Sequence, residues 1–202
     1  MTPDQAGILD AASKLLQPLY AQPHRAYHNA AHIQALLRWL EVHANLVRDP
    51  LAVRLAIWFH DAIYDTACSD NEERSAVLAE QTLSAWRCDA ALIALVASKI
   101  RATAAHHWTD GDTDTAAFLD FDLSVLGAPP DAYDRYAQHI ATEYAWVPLA
   151  AYRSGRAKVL AGFLSRPQLY FTERLRAQWE VQARDNLRRE FDSLSSADKE
   201  GG

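Results

Sequence analysis

The chain has 202 residues, half of them apolar, and its 20 basic and 26 acidic side chains leave a formal charge of −6. This length and apolar content are typical of one globular domain, and the negative charge argues against an extended basic surface for nucleic acid. The sequence holds 37 alanines but only seven glycines and eight prolines, which favours helices over a loop-rich or all-β protein. Two cysteines are too few for a disulfide scaffold, so we expect a reducing, cytoplasmic environment.

Apolar periodicity and capping residues predict an all-α fold, and no segment alternates convincingly as a strand. The predicted helices span about residues 4–20, 30–47, 50–65, 70–85, 90–103, 114–126, 130–144, 148–164 and 173–194. We expect a single domain over residues 1–194 and a disordered polar tail over residues 195–202. No apolar run approaches the roughly 18–20 residues that cross a bilayer, and the N-terminus does not resemble a secretory signal, so no membrane partner is expected.

The doublet His60-Asp61 ends the most apolar of these helices, in the run AIWFHDAIYD. A carboxylate in such surroundings is costly unless it is paired or neutralised, and a divalent cation is one way to satisfy it. The alternative is a capping aspartate beside a hydrogen-bonded core histidine. For an isolated doublet that alternative is the more common one, so the context has to decide.

Two further segments carry polar side chains inside apolar patterns. His32 lies at the start of the apolar stripe of the second helix, four residues after His28 in YHNAAHI. Asp120 and Asp122 lie among apolar residues in FLDFDLSVLG, where solvated carboxylates are not expected. Together with the doublet, these segments bring nitrogen and oxygen donors from three helices, which predicts a divalent metal site that is open to water.

In this order the motifs resemble the HD superfamily of metal-dependent phosphohydrolases, and most closely a bacterial branch of predicted HD phosphohydrolases. The resemblance covers about residues 20–192 and is carried by RAYHNAAHI, FHDAIYD, NEERSA, FLDFDLSVLG and ARDNLRREF. It implies an HD-domain-like helical bundle that binds one divalent ion through His32, His60, Asp61 and Asp122. Asp122 is the implied ligand because it heads the Asp-Leu run, and Asp120 is the reserve candidate.

Three further positions are candidates for contact with a phosphate or with the attacking water. His106, in a polar loop with His107, is predicted to bind or protonate the phosphate, and a second metal ion there is the less favoured alternative. Arg25 can grip a phosphate bidentately, although an ordinary surface arginine agrees with the sequence equally well. Glu72 or Glu73 can orient a ligand or the water, although acids also stabilise a helix N-terminus without any such role.

The predicted function is hydrolysis of a phosphoester or phosphoanhydride in a nucleotide or another small phosphorylated metabolite. The predicted cofactor is one divalent ion, and Mn, Mg, Ni, Co, Fe and Zn all remain open as its identity. Asp61 is expected both to bind the ion and to help deprotonate the attacking water. The alternative function is a non-catalytic sensor that binds a metal or nucleotide in the same pocket. The substrate, the physiological metal and the oligomeric state do not follow from the sequence.

Overall fold

The computed structural model describes residues 3–109 and 111–197, and over these ranges it contains only helices and the segments that connect them. The α-helices are α1 (Pro3–Tyr20), α2 (Ala30–Val42), α3 (Pro50–Phe59), α4 (Asn71–Ala85), α5 (Ala90–Thr103), α6 (Thr113–Asp122), α7 (Pro130–Glu143), α8 (Leu149–Leu164) and α9 (Glu173–Ala197). Two 3₁₀ helices lie at Ala44–Leu46 and Leu123–Gly127. The all-α prediction is therefore confirmed. No described helix combines the length and the apolar character that crossing a membrane requires.

Side chains cap the starts of three helices, whereas Asp70, which the sequence also offers as a cap, makes no such hydrogen bond at the start of α4. The side chains of Asn29, Asp49 and Asp89 accept backbone N–H groups from the first turns of α2, α3 and α5, at 2.8–3.1 Å. Pro50 occupies the first helical position of α3, where its missing N–H leaves no hydrogen bond unmade. Because these interactions are local in the chain, the sequence alone predicts them correctly.

The second helix is shorter than its periodicity predicts, because α2 ends at Val42 rather than at Val47. His43 leaves the helical conformation, with φ −115° and ψ 33°. Its buried ring instead stacks on Trp39 and Phe121, with ring centroids 5.8 and 6.2 Å apart. His43 is thus a packing residue.

The chain divides at the end of α6 into two compact units, residues 1–121 and residues 122–202. In the first unit α3 packs against α1, α2, α4 and α5. Nearly all of its side chains from Ala52 to Phe59 are buried, as expected for a helix that is apolar nearly all round. The sequence predicts this helix through Asp65, but it ends at Phe59, and the buried His60 and half-buried Asp61 lie in the turn that follows directly. The prediction of one domain over residues 1–194 stays a prediction.

Asp114 anchors the start of α6 against the start of α3. Its two carboxylate oxygens accept the backbone N–H groups of Arg48 and Asp49, each at 2.8 Å. The Asp114 side chain is buried, so these two hydrogen bonds replace those that its carboxylate would make with water if it were exposed. Two of the helices that carry predicted ligands are therefore held together at their N-terminal ends.

In the second unit α9 packs on α8 and on the 3₁₀ helix that follows α6. The sequence predicts α6 through Leu126, but the α-helix ends at Asp122 and continues as the 3₁₀ helix. Asn186 donates its side-chain N–H groups to the carbonyl oxygens of Leu126 and Ala128, both at 2.8 Å. This contact with α9 holds the tighter turn, which is why local periodicity did not reveal it.

Arg184, in the ARDNLRREF segment, closes the C-terminal end of α8. Its guanidinium donates to the carbonyl oxygens of Leu164, Arg166 and Pro167 at 3.3, 2.8 and 3.2 Å. Helix α9 extends to Ala197, so the helix enters the segment that the sequence predicts as a tail. Residues 198–202 lie outside the described residues, and the prediction for them stays a prediction.

Candidate metal centre

His60 follows the last residue of α3, and its imidazole is almost fully buried. Its Nδ1 lies 2.9 Å from the carbonyl oxygen of Ile57. Because a carbonyl oxygen only accepts hydrogen bonds, Nδ1 carries the proton in this contact. Nε2, on the opposite side of the ring, is therefore the nitrogen left to bind a metal ion, and it binds one in the neutral imidazole after giving up any proton it carries.

His32 lies in the first turn of α2, whose start is set by the Asn29 cap, and it is also buried. Its Nε2 is 3.3 Å from Nε2 of His60. Two ring nitrogens at this distance either share a proton or face one cation. Two donors about 2.1 Å from one ion and separated by 90–110° lie roughly 3.0–3.4 Å apart, so the observed spacing fits a shared ion.

Asp61 places a carboxylate beside both imidazoles. Its Oδ2 lies 3.0 Å from Nε2 of His60 and 3.6 Å from Nε2 of His32, and only 17% of the side chain is exposed. Burial raises the pKa of the Asp61 carboxyl. The charge and hydrogen bond of His60, together with the charges of His28 and His32, outweigh burial and bring the pKa well below its usual range. Asp61 is therefore a carboxylate that can accept a cation.

Asp122, the last residue of α6, brings a second carboxylate to the same pair of imidazoles. One ligand atom each of His32, His60 and Asp122 lies within 4.8 Å of the other two. Asp122 is half-buried, whereas Asp120 is fully buried and is not a member of this group. Among the described residues this group can hold a metal ion, and it favours Asp122 over Asp120 as the acidic ligand.

Arg25 was predicted from the sequence as a phosphate-binding residue, and the structure places it in the interior. The side chain is only 5% exposed, and its guanidinium donates four hydrogen bonds to protein groups. Three of the acceptors are backbone carbonyl oxygens. This geometry differs from that of an arginine that reaches into open space for a phosphate.

Glu72 lies half-buried in the first turn of α4, next to two side chains that hold the loop after the doublet. Ser75 Oγ accepts the N–H of Ile63 at 3.0 Å, and the Asn71 amide both accepts the N–H of Asp65 and donates to its carbonyl oxygen. The NEERSA segment therefore fastens α4 to the loop that follows Asp61. The orienting role of Glu72 stays a prediction.

His106 lies at the C-terminal end of α5, half-buried and with a positive φ of 43°. Its N–H donates to the carbonyl oxygen of Thr103, and the N–H of His107 donates to that of Ala102. This pair of hydrogen bonds is a Schellman motif, in which the residue with positive φ is usually glycine. The backbone of His106 therefore closes a helix, and its predicted contact with phosphate stays a prediction.

His28 and Tyr64 also lie beside the cluster, and neither is among the ligands that the sequence predicts. Their rings lie 4.2 Å apart between centroids, and the His28 ring is 6.0 Å from that of His32. Both side chains are half-buried, whereas His32 and His60 are buried. The sequence signal for His28 is its spacing of four residues from His32, but His28 precedes the helix, so periodicity could not orient it.

No family model, no curated protein and no solved structure matches this chain. The functional argument therefore depends on the residues and geometry of the centre itself.

Proposed function

We propose that this protein is a metal-dependent phosphohydrolase of the HD type. The observation that carries the proposal is the pair of buried imidazoles whose Nε2 atoms face each other at 3.3 Å, with the Asp61 carboxylate against both. A histidine pair followed by an acid, with another acid brought in by a later helix, is also the order of ligands in the HD motif that the sequence resembles.

The donor set fits a divalent ion. Two imidazole nitrogens and carboxylate oxygens suit Mn, Fe, Co, Ni or Zn, and Mg is compatible through the carboxylates. The residues that would hold the ion are His32, His60, Asp61 and Asp122. When bound, such an ion supplies Lewis-acid polarisation of a phosphoryl oxygen and lowers the pKa of a water that it binds. Four protein donors leave room for that water and for substrate.

The chain's own residues are proposed to handle the proton and the phosphate. The Asp61 carboxylate is the group that accepts a proton from the attacking water, because it lies against both imidazoles and is partly exposed. His106 is proposed to donate a proton to the leaving oxygen or to bind the phosphate, a role for which its half-buried side chain is accessible. Glu72 is proposed to orient the water.

A small phosphorylated molecule is the substrate class that agrees best with the charge of the protein. The formal charge of −6 opposes binding of a long polyanion such as nucleic acid, whereas a single nucleotide or sugar phosphate needs only a local site. Both phosphoesters and phosphoanhydrides remain within the proposal.

Metal analysis combined with a substrate screen tests this function. The protein would be stripped of metal, reloaded separately with Mn, Mg, Ni, Co, Fe or Zn, and assayed against panels of phosphomonoesters, phosphodiesters and pyrophosphates. We expect one tightly bound ion per chain and turnover in at least one panel. Metal binding without turnover on any panel would favour the sensor function instead, and the absence of metal binding would overturn both the phosphohydrolase and a metal sensor.

A further inference from the structure

Arg25 lies between two segments that carry proposed metal ligands. Its Nη1 donates to the carbonyl oxygen of Asp61 at 2.6 Å and to that of His28 at 3.2 Å. Its Nη2 donates to the carbonyl oxygen of Ala62 at 3.0 Å. One buried guanidinium thus connects the segment just before α2 with the turn just after α3.

We propose that Arg25 is a positioning residue that keeps His32 at the distance from the His60-Asp61 doublet that a shared ion needs, a role that rests on the metal centre proposed above. His28 directly precedes the Asn29 cap, so holding its carbonyl oxygen sets where α2 begins. His32 lies in the first turn of that helix and moves with its start. The same guanidinium also donates to the carbonyl oxygen of Asp61, which is itself a proposed ligand.

Aromatic contacts fix the plane of the guanidinium. The Cζ atom of Arg25 lies 5.2 Å from the ring centroid of Tyr20 and 5.5 Å from that of Tyr64. The Tyr20 hydroxyl in turn donates to the carbonyl oxygen of Trp58 in α3, at 2.7 Å. A lysine has a single ammonium group and no plane, so it cannot reach all three carbonyls in these directions.

The test compares Arg25→Lys with Arg184→Lys. Arg184 is a matched control because its guanidinium also donates to three backbone carbonyls, at the end of α8, in a segment without proposed ligands. We expect Arg25→Lys to weaken the binding of Mn²⁺ or Co²⁺, measured by calorimetry, by about 10–100-fold. Arg184→Lys should leave the Kd unchanged even if it lowers the unfolding temperature. Unchanged affinity in folded Arg25→Lys, or an equal loss in Arg184→Lys, would overturn the proposal.

A second readout does not need metal. In the metal-free protein, amide hydrogen exchange over residues 26–33 and 60–65 should accelerate in Arg25→Lys and not in Arg184→Lys, because only Arg25 joins these segments. If Arg25→Lys does not fold, Gln22→Leu replaces it. This change removes the acceptor of Arg25 Nε, 3.1 Å away, and should weaken metal binding less severely. A wild-type protein that binds neither Mn²⁺ nor Co²⁺ would overturn the proposed metal centre. The hydrogen-exchange rates would still show whether Arg25 holds residues 26–33 and 60–65 together.

Discussion

The imidazole of His60 donates its Nδ1–H to the carbonyl oxygen of Ile57 in the last turn of α3. This hydrogen bond directs Nδ1 to the helix backbone, so Nε2 is the nitrogen that faces Nε2 of His32 at 3.3 Å and Oδ2 of Asp61 at 3.0 Å. The helix backbone thus orients one proposed metal ligand before any ion binds, which lowers the cost of ordering the candidate site.

Replacing either member of the doublet should abolish metal binding. His60→Ala and Asp61→Ala each remove one donor from a site that has four, and the remaining donors cannot hold an ion tightly. Elemental analysis of the purified variants should show loss of metal. Circular dichroism should show that they retain a helical fold. His139→Ala, at an exposed histidine of α7, is the control and should retain its metal. Stoichiometric metal in both doublet variants would show that the assignment is wrong.

The two acids near the end of α6 should respond differently to loss of charge. Asp122→Asn should weaken metal binding by about 10-fold or more, because it removes the charge of a proposed ligand. Asp120→Asn should mainly lower the free energy of unfolding, by about 1–3 kcal/mol, because the Asp120 carboxyl is fully buried. Calorimetric titration with Mn²⁺ and urea unfolding separate the two effects. The reverse order of metal affinities would identify Asp120 as the ligand.

The backbone of His106 ends a helix, and its side chain is proposed to take part in catalysis. Substitution by glycine tests the two roles separately, because it favours the backbone conformation and removes the imidazole. His106→Gly should raise the free energy of unfolding by about 1 kcal/mol, because glycine adopts positive φ without a steric penalty. The same variant and His106→Ala should both lower turnover by about 10²–10⁴-fold if the imidazole donates a proton, with unchanged metal content.

Arg87→Gly is the matched control for His106. Arg87 ends α4 with a φ of 56° and the same hydrogen-bond pattern, so glycine should stabilise the protein there and leave turnover unchanged. Turnover that stays normal in both His106 variants would leave His106 a structural residue. A halved metal content would instead identify it as a ligand of a second ion.

Gly127 should tolerate no side chain. A Cβ atom there would lie 2.6 Å from Cβ of Trp179 and 3.1 Å from its carbonyl oxygen, so either α9 or the 3₁₀ helix must shift. We expect Gly127→Ala to lower the free energy of unfolding by about 1–3 kcal/mol or more, measured in urea. Gly155→Ala is the control, because a Cβ meets nothing within 4 Å in α8 and should stabilise the helix by about 0.5–1 kcal/mol. Equal effects of the two variants would contradict the close approach.

Acid should weaken the contact between Lys99 and Asp112. Burial raises the pKa of the Asp112 carboxyl, but the hydrogen bonds from Thr115 and the Lys99 charge outweigh it and bring the pKa below its ordinary value. The fully buried Lys99 ammonium lies 3.4 Å from this carboxylate and 3.1 Å from Thr115 Oγ1. Because the folded-state pKa is the lower one, the stabilisation is complete above the unfolded pKa of about 3.9 and disappears as the pH falls through the folded value.

Asp112→Asn tests this linkage. The variant should unfold more easily in urea at about pH 7, and its deficit relative to wild type should shrink as the pH falls towards about 3. A deficit that stays constant over this range would show that the carboxylate charge does not stabilise the fold.

The sequence alone predicts several residues of the candidate site. What it does not predict has a physical reason. His60-Asp61 stands out because a charged doublet ends an otherwise apolar helix, a feature of sequence alone. The environment of Arg25 does not stand out, because each of its carbonyl acceptors looks like ordinary backbone in the sequence. The same sequence therefore agrees with a phosphate-binding arginine and with a buried one, and only the packing of α1 and α2 against α3 distinguishes them.

The sequence by itself determined the helical class, the capped starts of α2, α3 and α5, and the residue types of the candidate metal site. These depend on side chains within a few positions of one another, where propensity and periodicity act. Only the tertiary structure shows that Nε2 of His32 faces Nε2 of His60, and that ligand atoms of these two residues and of Asp122 lie within 4.8 Å of one another. Only it turned the end of α6 into a 3₁₀ helix, because Asn186 binds the carbonyl oxygens of that turn from far along the chain. Such contacts join residues that are distant in sequence. Local patterns do not predict them, because they depend on how the helices pack.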